Sequence, residues 1–552
     1  MRKLILTALL TAGVGLSATA QNAYKILSEC DTTVKAKIEN ATLGSRDVRH
    51  FVYEYPSKDG DGQPVTISGI VMVPADIANG TTPCDGIILF NHHTIGGPEQ
   101  APSQGELDVP SGILANPLRP NYIVVMSDYI GYGSSIDHQI AYLCGDTNAR
   151  NCLDGLLAAR QLLDDKQISK GRFLFNMGYS QGGTESMYIA KLRDMEYKDR
   201  GITFDKTFSG GGMLDCEEAY TAYIEKDECD AINDVAMFLI SVNENCHLGI
   251  DYHDLFKEPL ASHVQEVIKT KNKSVLSDIG VSKLDSLHQL LQPAYMDRSS
   301  DEAKKLRAKL AEIKITNGWE PDTTQRYFIE HSRHDNYVPI QCGRAIIPWM
   351  KEKGFKPSLV PGKTNLQTNT VVFKLKHQPS AAVWFVQTMA AVQAWPVIYY
   401  EGEQNRYYHD AVKDLNLMKV VKFLESMGID LRKMFSTSGA REFVAGSRAF
   451  VAGSRASNFL EILYQIQDTL GKVGLTITDV VEMILDAGIT GDDIMEVYDY
   501  IKGTEASSAR EAVMIGEHVE VPVYLLRQYE QTLADWLMLG GVDVHYDQWG
   551  WQ

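Results

Sequence analysis

The most chemically suggestive run in the 552-residue chain is Gly178-Tyr179-Ser180-Gln181-Gly182-Gly183. An apolar stretch, residues 173–177, leads straight into it, and a segment rich in Ala, Met and Lys follows. In a strand, turn and helix of this kind, glycines let backbone pack closely around a strained turn, which lifts the serine hydroxyl clear of a sheet at a helix N-terminus. A serine hydroxyl is a weak nucleophile until a base takes its proton, so an imidazole and an orienting acid are also required. Both should follow in the order serine, acid, histidine, each on a loop after a later strand. Asp335 lies in Ser332-Arg333-His334-Asp335-Asn336-Tyr337-Val338-Pro339, directly after the apolar run 327–331. His377 follows the run 371–375 and precedes the apolar helical segment 381–395. Asp322 lies ahead of its strand, His331 and His334 precede the acid, and His409 lies past the last helix, so Asp335 and His377 fit best.

Charge developing on a substrate oxygen needs two donors aimed at it. The backbone N–H of Gln181, next to the serine, is one. The second is open between the backbone at Asp128, in Ser127-Asp128-Tyr129-Ile130-Gly131-Tyr132-Gly133, and that at His93 or Thr94, in Asn91-His92-His93-Thr94-Ile95-Gly96-Gly97. The latter loop follows the strand that ordinarily supplies such a donor, which favours it modestly. His92 with His93, and His331 with His334, lack a third ligand at recognisable spacing, so no metal is expected. Neither a Walker loop nor a dinucleotide-type glycine motif is present, and no cofactor is expected.

These residues need a scaffold, and residues 48–395 alternate short β-branched or aromatic runs with longer helical ones. Strands are expected at 51–55, 65–73, 86–91, 122–127, 173–178, 207–210, 327–331 and 371–375. The first pair reads as an antiparallel hairpin around Gly60-Asp61-Gly62, and the later runs are nearly all apolar, as strands buried on both faces should be. Helical stretches between them, such as 152–164 and 184–191, make this an α/β sheet with helices on both faces. Residues 216–324 form too long a connection for such a unit unless they are a helical cap inserted after the sixth expected strand. The segment 401–552 reads as a mainly helical C-terminal extension, with helices at 479–487 and 492–502 that stop at Gly488 and Gly503. A heptapeptide, Phe-Val-Ala-Gly-Ser-Arg-Ala, stands twice in tandem within 443–456 and suits a surface linker. Trp384, Phe385 and Met389 are expected to be core.

The elbow, the Asp-Tyr-x-Gly-x-Gly loop, the helical insertion and the later Asp and His together resemble the α/β-hydrolase superfamily, and within it the secretory, lipase A-like group. The resemblance covers roughly residues 51–395 and implies Ser180 as nucleophile, Asp335 as acid and His377 as base. It also implies the N–H groups of Asp128 and Gln181 as the oxyanion hole. Small residues are commoner than Gln181 in that group, which implies a narrower, more polar pocket beside the nucleophile.

The formal charge of −18 is spread along the chain, which argues against nucleic acid or anionic lipid as a partner. Arg2 and Lys3, the apolar run 4–16 and Ala18-Thr19-Ala20 read as a signal peptide, residues 1–20, too short for a span of about 20 apolar residues. A domain of residues 21–400 follows, in a chain expected to be periplasmic or secreted. Eight cysteines in an exported chain permit disulfides, and the local choices are Cys144 with Cys152 and a pair within Cys216, Cys229 and Cys246. The expected function is hydrolysis of carboxylic esters of a small-molecule, lipid or carbohydrate substrate through an acyl-enzyme. A serine peptidase on the same fold is the first alternative, since the triad alone does not separate amide from ester. A binding or adhesion protein acting through the C-terminal extension is the second.

Overall fold

The computed structural model describes residues 24–400 apart from 39–40, 106–107, 117–119, 356–364 and 372–374. The expected signal peptide, the C-terminal extension and its tandem heptapeptide lie outside the described residues. Nine strands form one sheet: β1 (Lys25–Ile38), β2 (Ala41–Lys58), β3 (Pro64–Pro74), β4 (Gly86–Asn91), β5 (Tyr122–Ser127), β6 (Phe173–Tyr179), β7 (Lys206–Gly210), β8 (Tyr327–Ser332) and β9 (Leu366–Val371). Their spatial order is β1-β2-β3-β5-β4-β6-β7-β8-β9. The pairings from β1 through β3 to β5 are antiparallel, and those from β5 onward are parallel. β4 therefore lies between the strand that follows it and the one after that, a topological switch point, where α/β sheets open a crevice at their strand C-termini. The turn carrying Ser180 and the loop carrying His93 leave the sheet at this crevice.

Every residue of β4, β5 and β6 is buried, as strands covered on both faces require. One face is covered by helices α2 (Thr147–Asp165) and α3 (Gln181–Leu192), the other by α1 (Asp108–Leu114) and α9 (His377–Tyr400), counting α-helices of seven residues or more. Trp384 and Met389 of α9 are core residues against Phe175, Phe208 and Phe328, as expected. Between β7 and β8 the cap consists of α4 (Cys216–Lys226), α5 (Ile232–Asn245), α6 (Leu260–Thr270), α7 (Asp301–Ile313) and shorter turns. Its starts are locally encoded: the Asp215 carboxylate accepts from the N–H groups of Glu217 and Glu218, and the Ser300 hydroxyl accepts from that of Ala303. Leu260, Val264, Leu287, Leu306 and Leu310 join the apolar cluster of the main sheet, so the cap shares its core. Past β8 the chain passes through α8 (Ile346–Glu352). Among the described residues no helix is long and apolar enough to cross a membrane.

Several expectations are corrected. β1 had no counterpart, because it is an edge strand whose first half is largely exposed; of its residues 25–36 only Val34 and Ala36 turn fully inward. The sixth expected strand is consequently the seventh observed. The last strand described is Leu366–Val371, which begins five residues before the expected 371–375, of which 372–374 lie outside the described residues; among the described residues it pairs only with β8, and an edge strand needs no continuous apolar run. All eight cysteines are reduced in the structure, and Cys144 faces Cys246 where the cap meets the core instead of Cys152, whose side chain is buried in α2.

The turn after β6 depends on absent side chains. A Cβ on Gly182 would stand 2.0 Å from the Asn91 carbonyl oxygen, and one on Gly183 would stand 2.4 Å from that of Gly210. Both obstacles are backbone and neither can rotate away. Gly182→Ala should therefore destabilise the fold by about 2 kcal/mol, the usual scale of core overpacking. Gly112→Ala, whose new Cβ would meet nothing nearer than 3.9 Å inside α1, should be neutral or slightly stabilising. Urea midpoints of the two variants check this; equal midpoints would show that the turn tolerates a methyl group.

Candidate active site

Ser180 sits at φ 60°, ψ −123°, a strained backbone for a residue with a Cβ, and is the N-cap of α3. Its N–H donates to the Gly210 carbonyl at 2.8 Å, which pins the turn to the end of β7. The hydroxyl is partly exposed and points to His377, the first residue of α9, with Oγ 2.7 Å from Nε2. Nδ1 of the same ring lies 2.6 Å from Oδ2 of Asp335, in the loop after β8. Serine, histidine and aspartate are thus brought into one line from three separate loops. With Nδ1 protonated toward the carboxylate, Nε2 is left as the acceptor for the serine proton.

The acid is itself held. Its second oxygen, Oδ1, accepts from the N–H groups of Tyr337 at 2.9 Å and Val338 at 2.8 Å. Burial opposes ionisation of Asp335, but the hydrogen bond and charge of His377, the nearby His331 and the Val338 N–H outweigh it and keep the carboxyl below the ordinary aspartate range. The His331 ring is fully enclosed, with Nε2 3.0 Å from the Val338 carbonyl and 3.5 Å from Asp335 Oδ2. It stands behind the acid as packing and as a brace for its loop. Tyr337 stacks on the His377 ring at 5.3 Å and 10°, and the Tyr179 hydroxyl donates to the His377 carbonyl at 2.8 Å. Neither tyrosine stood out in the sequence. Tyr179 sits inside the serine motif, so its position was the one available signal.

The two candidates for the second oxyanion donor differ in what their N–H groups already do. The Asp128 N–H donates to the Ser68 carbonyl at 3.0 Å, extending the β3–β5 ladder, and so is already engaged. The Asp128 side chain is equally occupied, taking bonds from Ser68 Oγ at 2.6 Å and the Ser103 N–H at 2.7 Å. For the N–H groups of His93 and Thr94, no acceptor is found among the described residues. Their loop leaves β4 beside the Ser180 turn. His92 is buried and stacked on Tyr129 at 3.9 Å, whereas His93 is exposed at the rim. Among the described residues no group of three or more His, Cys, Asp or Glu is placed to hold a metal.

The cap grips each of these loops. The Tyr223 hydroxyl of α4 donates to the Tyr337 carbonyl at 2.5 Å, and Asp230 accepts from Asn336 Nδ2 at 2.6 Å. Asn336 in turn accepts from the His377 N–H at 3.0 Å, so a cap carboxylate reaches the base through one side chain. On the other side the Lys273 N–H donates to the Gly96 carbonyl at 2.7 Å, and Lys273 Nζ pairs with Asp234 of α5 at 2.6 Å. Asp234 also accepts from Tyr142, which is bonded to Thr94 at 2.9 Å.

No family model matches the chain, and no curated protein matches it in sequence. Among solved structures, a Legionella pneumophila protein described as a hydrolase is similar with a TM-score of 0.56 at 17% identity, over 67% of this chain and 98% of that one. The rice cell wall degrading esterase LipA from Xanthomonas oryzae is similar with a TM-score of 0.53 at 17% identity, over 68% of this chain and 98% of that one. The chain therefore has the fold of these two proteins, an α/β-hydrolase fold.

One buried acid beneath the site is not part of the line. Glu185, one turn into α3 from Gln181, accepts from Asn148 Nδ2 at 2.9 Å. Burial pushes its carboxyl up to about 8, with the Asn148 and Gln181 hydrogen bonds pulling the other way. The folded protein thus keeps a proton that the unfolded chain releases near the ordinary glutamate value. Between these two values, stability falls as pH rises, by at most roughly 1.4 kcal/mol per pH unit. Glu185→Gln preserves the acceptor and removes the proton, so its stability advantage over wild type should grow from pH 5 to pH 8 and level off above. Urea unfolding at several pH values tests this; a constant difference would place the Glu185 carboxyl near its ordinary range.

Proposed function

We propose that the protein is an exported serine hydrolase of carboxylic esters. The observation that carries the reading is the unbroken line from Ser180 Oγ through His377 to Asp335, with contacts of 2.7 and 2.6 Å, at a strained turn on the switch point of an α/β-hydrolase sheet. Ser180 attacks the ester carbonyl as His377 Nε2 takes its proton, and Asp335 stabilises the imidazolium that forms. The negative charge on the carbonyl oxygen is received by the Gln181 N–H at the start of α3, where helix geometry leaves it without an internal partner, and by the N–H of His93 or Thr94. His377 then protonates the departing alcohol, and water, activated by the same ring, cleaves the acyl-enzyme and restores Ser180. The likeness to LipA supports an ester as the bond cleaved, and the basic start and apolar run of residues 4–16 support export.

A fluorophosphonate probe should label the wild type and fail on Ser180→Ala. Ser180→Ala should also lose ester hydrolysis by roughly 10⁶-fold, as removal of a serine nucleophile does elsewhere. Short p-nitrophenyl esters should be turned over faster than the matching p-nitroanilides; the reverse order would make the enzyme an amidase. Labelling that persists in Ser180→Ala would overturn the nucleophile.

The bridge from Asp230 through Asn336 to His377 generates a separate expectation. Asn336→Asp keeps an acceptor for the His377 N–H but sets two carboxylates where a 2.6 Å bond stood. It should lower kcat roughly tenfold with little change in KM, because small displacements of a catalytic group are costly. Adding Asp230→Asn restores a donor and an acceptor in reversed order and should recover most of the loss. If the double variant is no better than the single one, the cap does not hold the base through this bridge.

A further inference from the structure

Two cysteines far apart in the chain meet at the seam between cap and core. Cys144 Sγ and Cys246 Sγ are 3.4 Å apart across a separation of 102 residues. Cys144 is buried in the loop between the Asp128 turn and α2, and Cys246 is the partly exposed C-cap of α5. The seam is already ordered: Asn245 Nδ2 donates to the Ile140 carbonyl at 2.9 Å, and Ser241 Oγ does so at 3.3 Å. The other cysteines are disposed differently. Cys216 directs its Sγ to the Leu310 carbonyl at 3.1 Å, Cys84 to that of Gly86 and Cys342 to that of Pro339.

We propose that Cys144 and Cys246 are the site of a disulfide that staples the cap to the catalytic core once the chain meets an oxidising compartment. The two sulfurs need to close by little more than an ångström to reach bonding distance, about 2.05 Å. The chemistry is thiol–disulfide exchange with an external disulfide, such as oxidised glutathione or a disulfide-donor protein. Cys246 as thiolate attacks one sulfur of that donor, expelling its other sulfur as a thiolate and leaving a mixed disulfide. Cys144 loses its proton to solvent and attacks the Cys246 sulfur, and the donor's second thiolate departs. One dithiol is oxidised and one donor disulfide is reduced to two thiols.

The order of attack follows from the surroundings. The hydrogen bond from Cys144 holds Cys246 below the ordinary thiol range, with Lys309 and His247 adding to it against the burial that opposes it. The same bond, followed by burial, holds Cys144 above that range. The reachable sulfur is thus the better nucleophile, and the buried one resolves. The cross-link would close a loop that contains β6, the Ser180 turn, α3, β7 and the first two cap helices. It would anchor the end of α5 next to Tyr142, whose hydroxyl meets both Thr94 and Asp234.

The test uses the purified full chain, reduced and then exposed to oxidised glutathione, with thiols alkylated under denaturing conditions and peptides mapped without reduction. The expected result is a single linked pair of peptides carrying Cys144 and Cys246, with alkylated cysteines falling from eight to six. Cys144→Ser and Cys246→Ser should each abolish that pair. The oxidised wild type should melt roughly 5 °C above the reduced form, a difference neither variant shows. Eight alkylatable thiols after oxidation, or a Cys216–Cys246 pair in place of the expected one, would overturn the proposal. The readout does not use ester hydrolysis, so it stands or falls apart from the proposed activity.

Discussion

Most of what is distinctive here rests on one close approach of backbone to backbone. The chain leaving β6 turns so sharply that Gly182 lies against the Asn91 carbonyl and Gly183 against that of Gly210, leaving no room for a side chain at either. That crowding joins the ends of three neighbouring strands, β4, β6 and β7. It also holds Ser180 in a backbone region that costs about 1–3 kcal/mol and persists only when the surroundings over-determine it. The Ser180 N–H to Gly210 bond supplies the last restraint. A serine on a relaxed turn would lie along the sheet; here it stands above the crevice, facing a histidine from another strand connection.

Around that fixed point, the cap braces the functional loops. Tyr223 and Asp230 hold the segment after Asp335, while Lys273 and Asp234 hold the segment of His93 and Thr94. These bonds lie on opposite sides of the Ser180 turn. Since the cap also shares the main apolar cluster, a displacement of it is felt at Asp335 and at the loop of His93 and Thr94 together. Long insertions are tolerated in α/β sheets because loop-closure entropy grows slowly with length. This one gains its rigidity from a common core and from polar ties to the site it overhangs.

The sequence made the serine turn legible because its glycines and its feeding strand answer to local physics; Asp335 stood out because it follows an apolar strand run, and His377 because it precedes an apolar helical one. The hairpin at Gly60-Asp61-Gly62 and the helical insertion were legible for the same reason. Edge strands were not: β1 is mostly polar where it is exposed, and β9 alternates where it flanks a single neighbour, so neither carries a continuous apolar signature. The brace through Asn336 and the facing of Cys144 with Cys246 are contacts across long stretches of chain, and nothing in local spacing encodes them. That the Asp128 N–H is engaged in a ladder bond is likewise revealed only by the strand pairing.

Asp128 and Asp335 show how the same side chain takes opposite parts in one site. Both carboxylates are enclosed, and burial alone drives each toward its neutral form. Asp128 finds only neutral donors, Ser68 and the Ser103 N–H, and stays above the ordinary aspartate range. Asp335 finds the imidazoles of His377 and His331 as well as backbone N–H groups, and lies below it. A charge that is cheap to hold next to an imidazole is what an orienting acid requires, because it must favour the imidazolium as the proton leaves the serine. A carboxyl that gains nothing from ionising serves better as a tie between strands. The difference lies in which residues the sheet order brings beside each one, and so the fold, more than the residue type, assigns the chemistry.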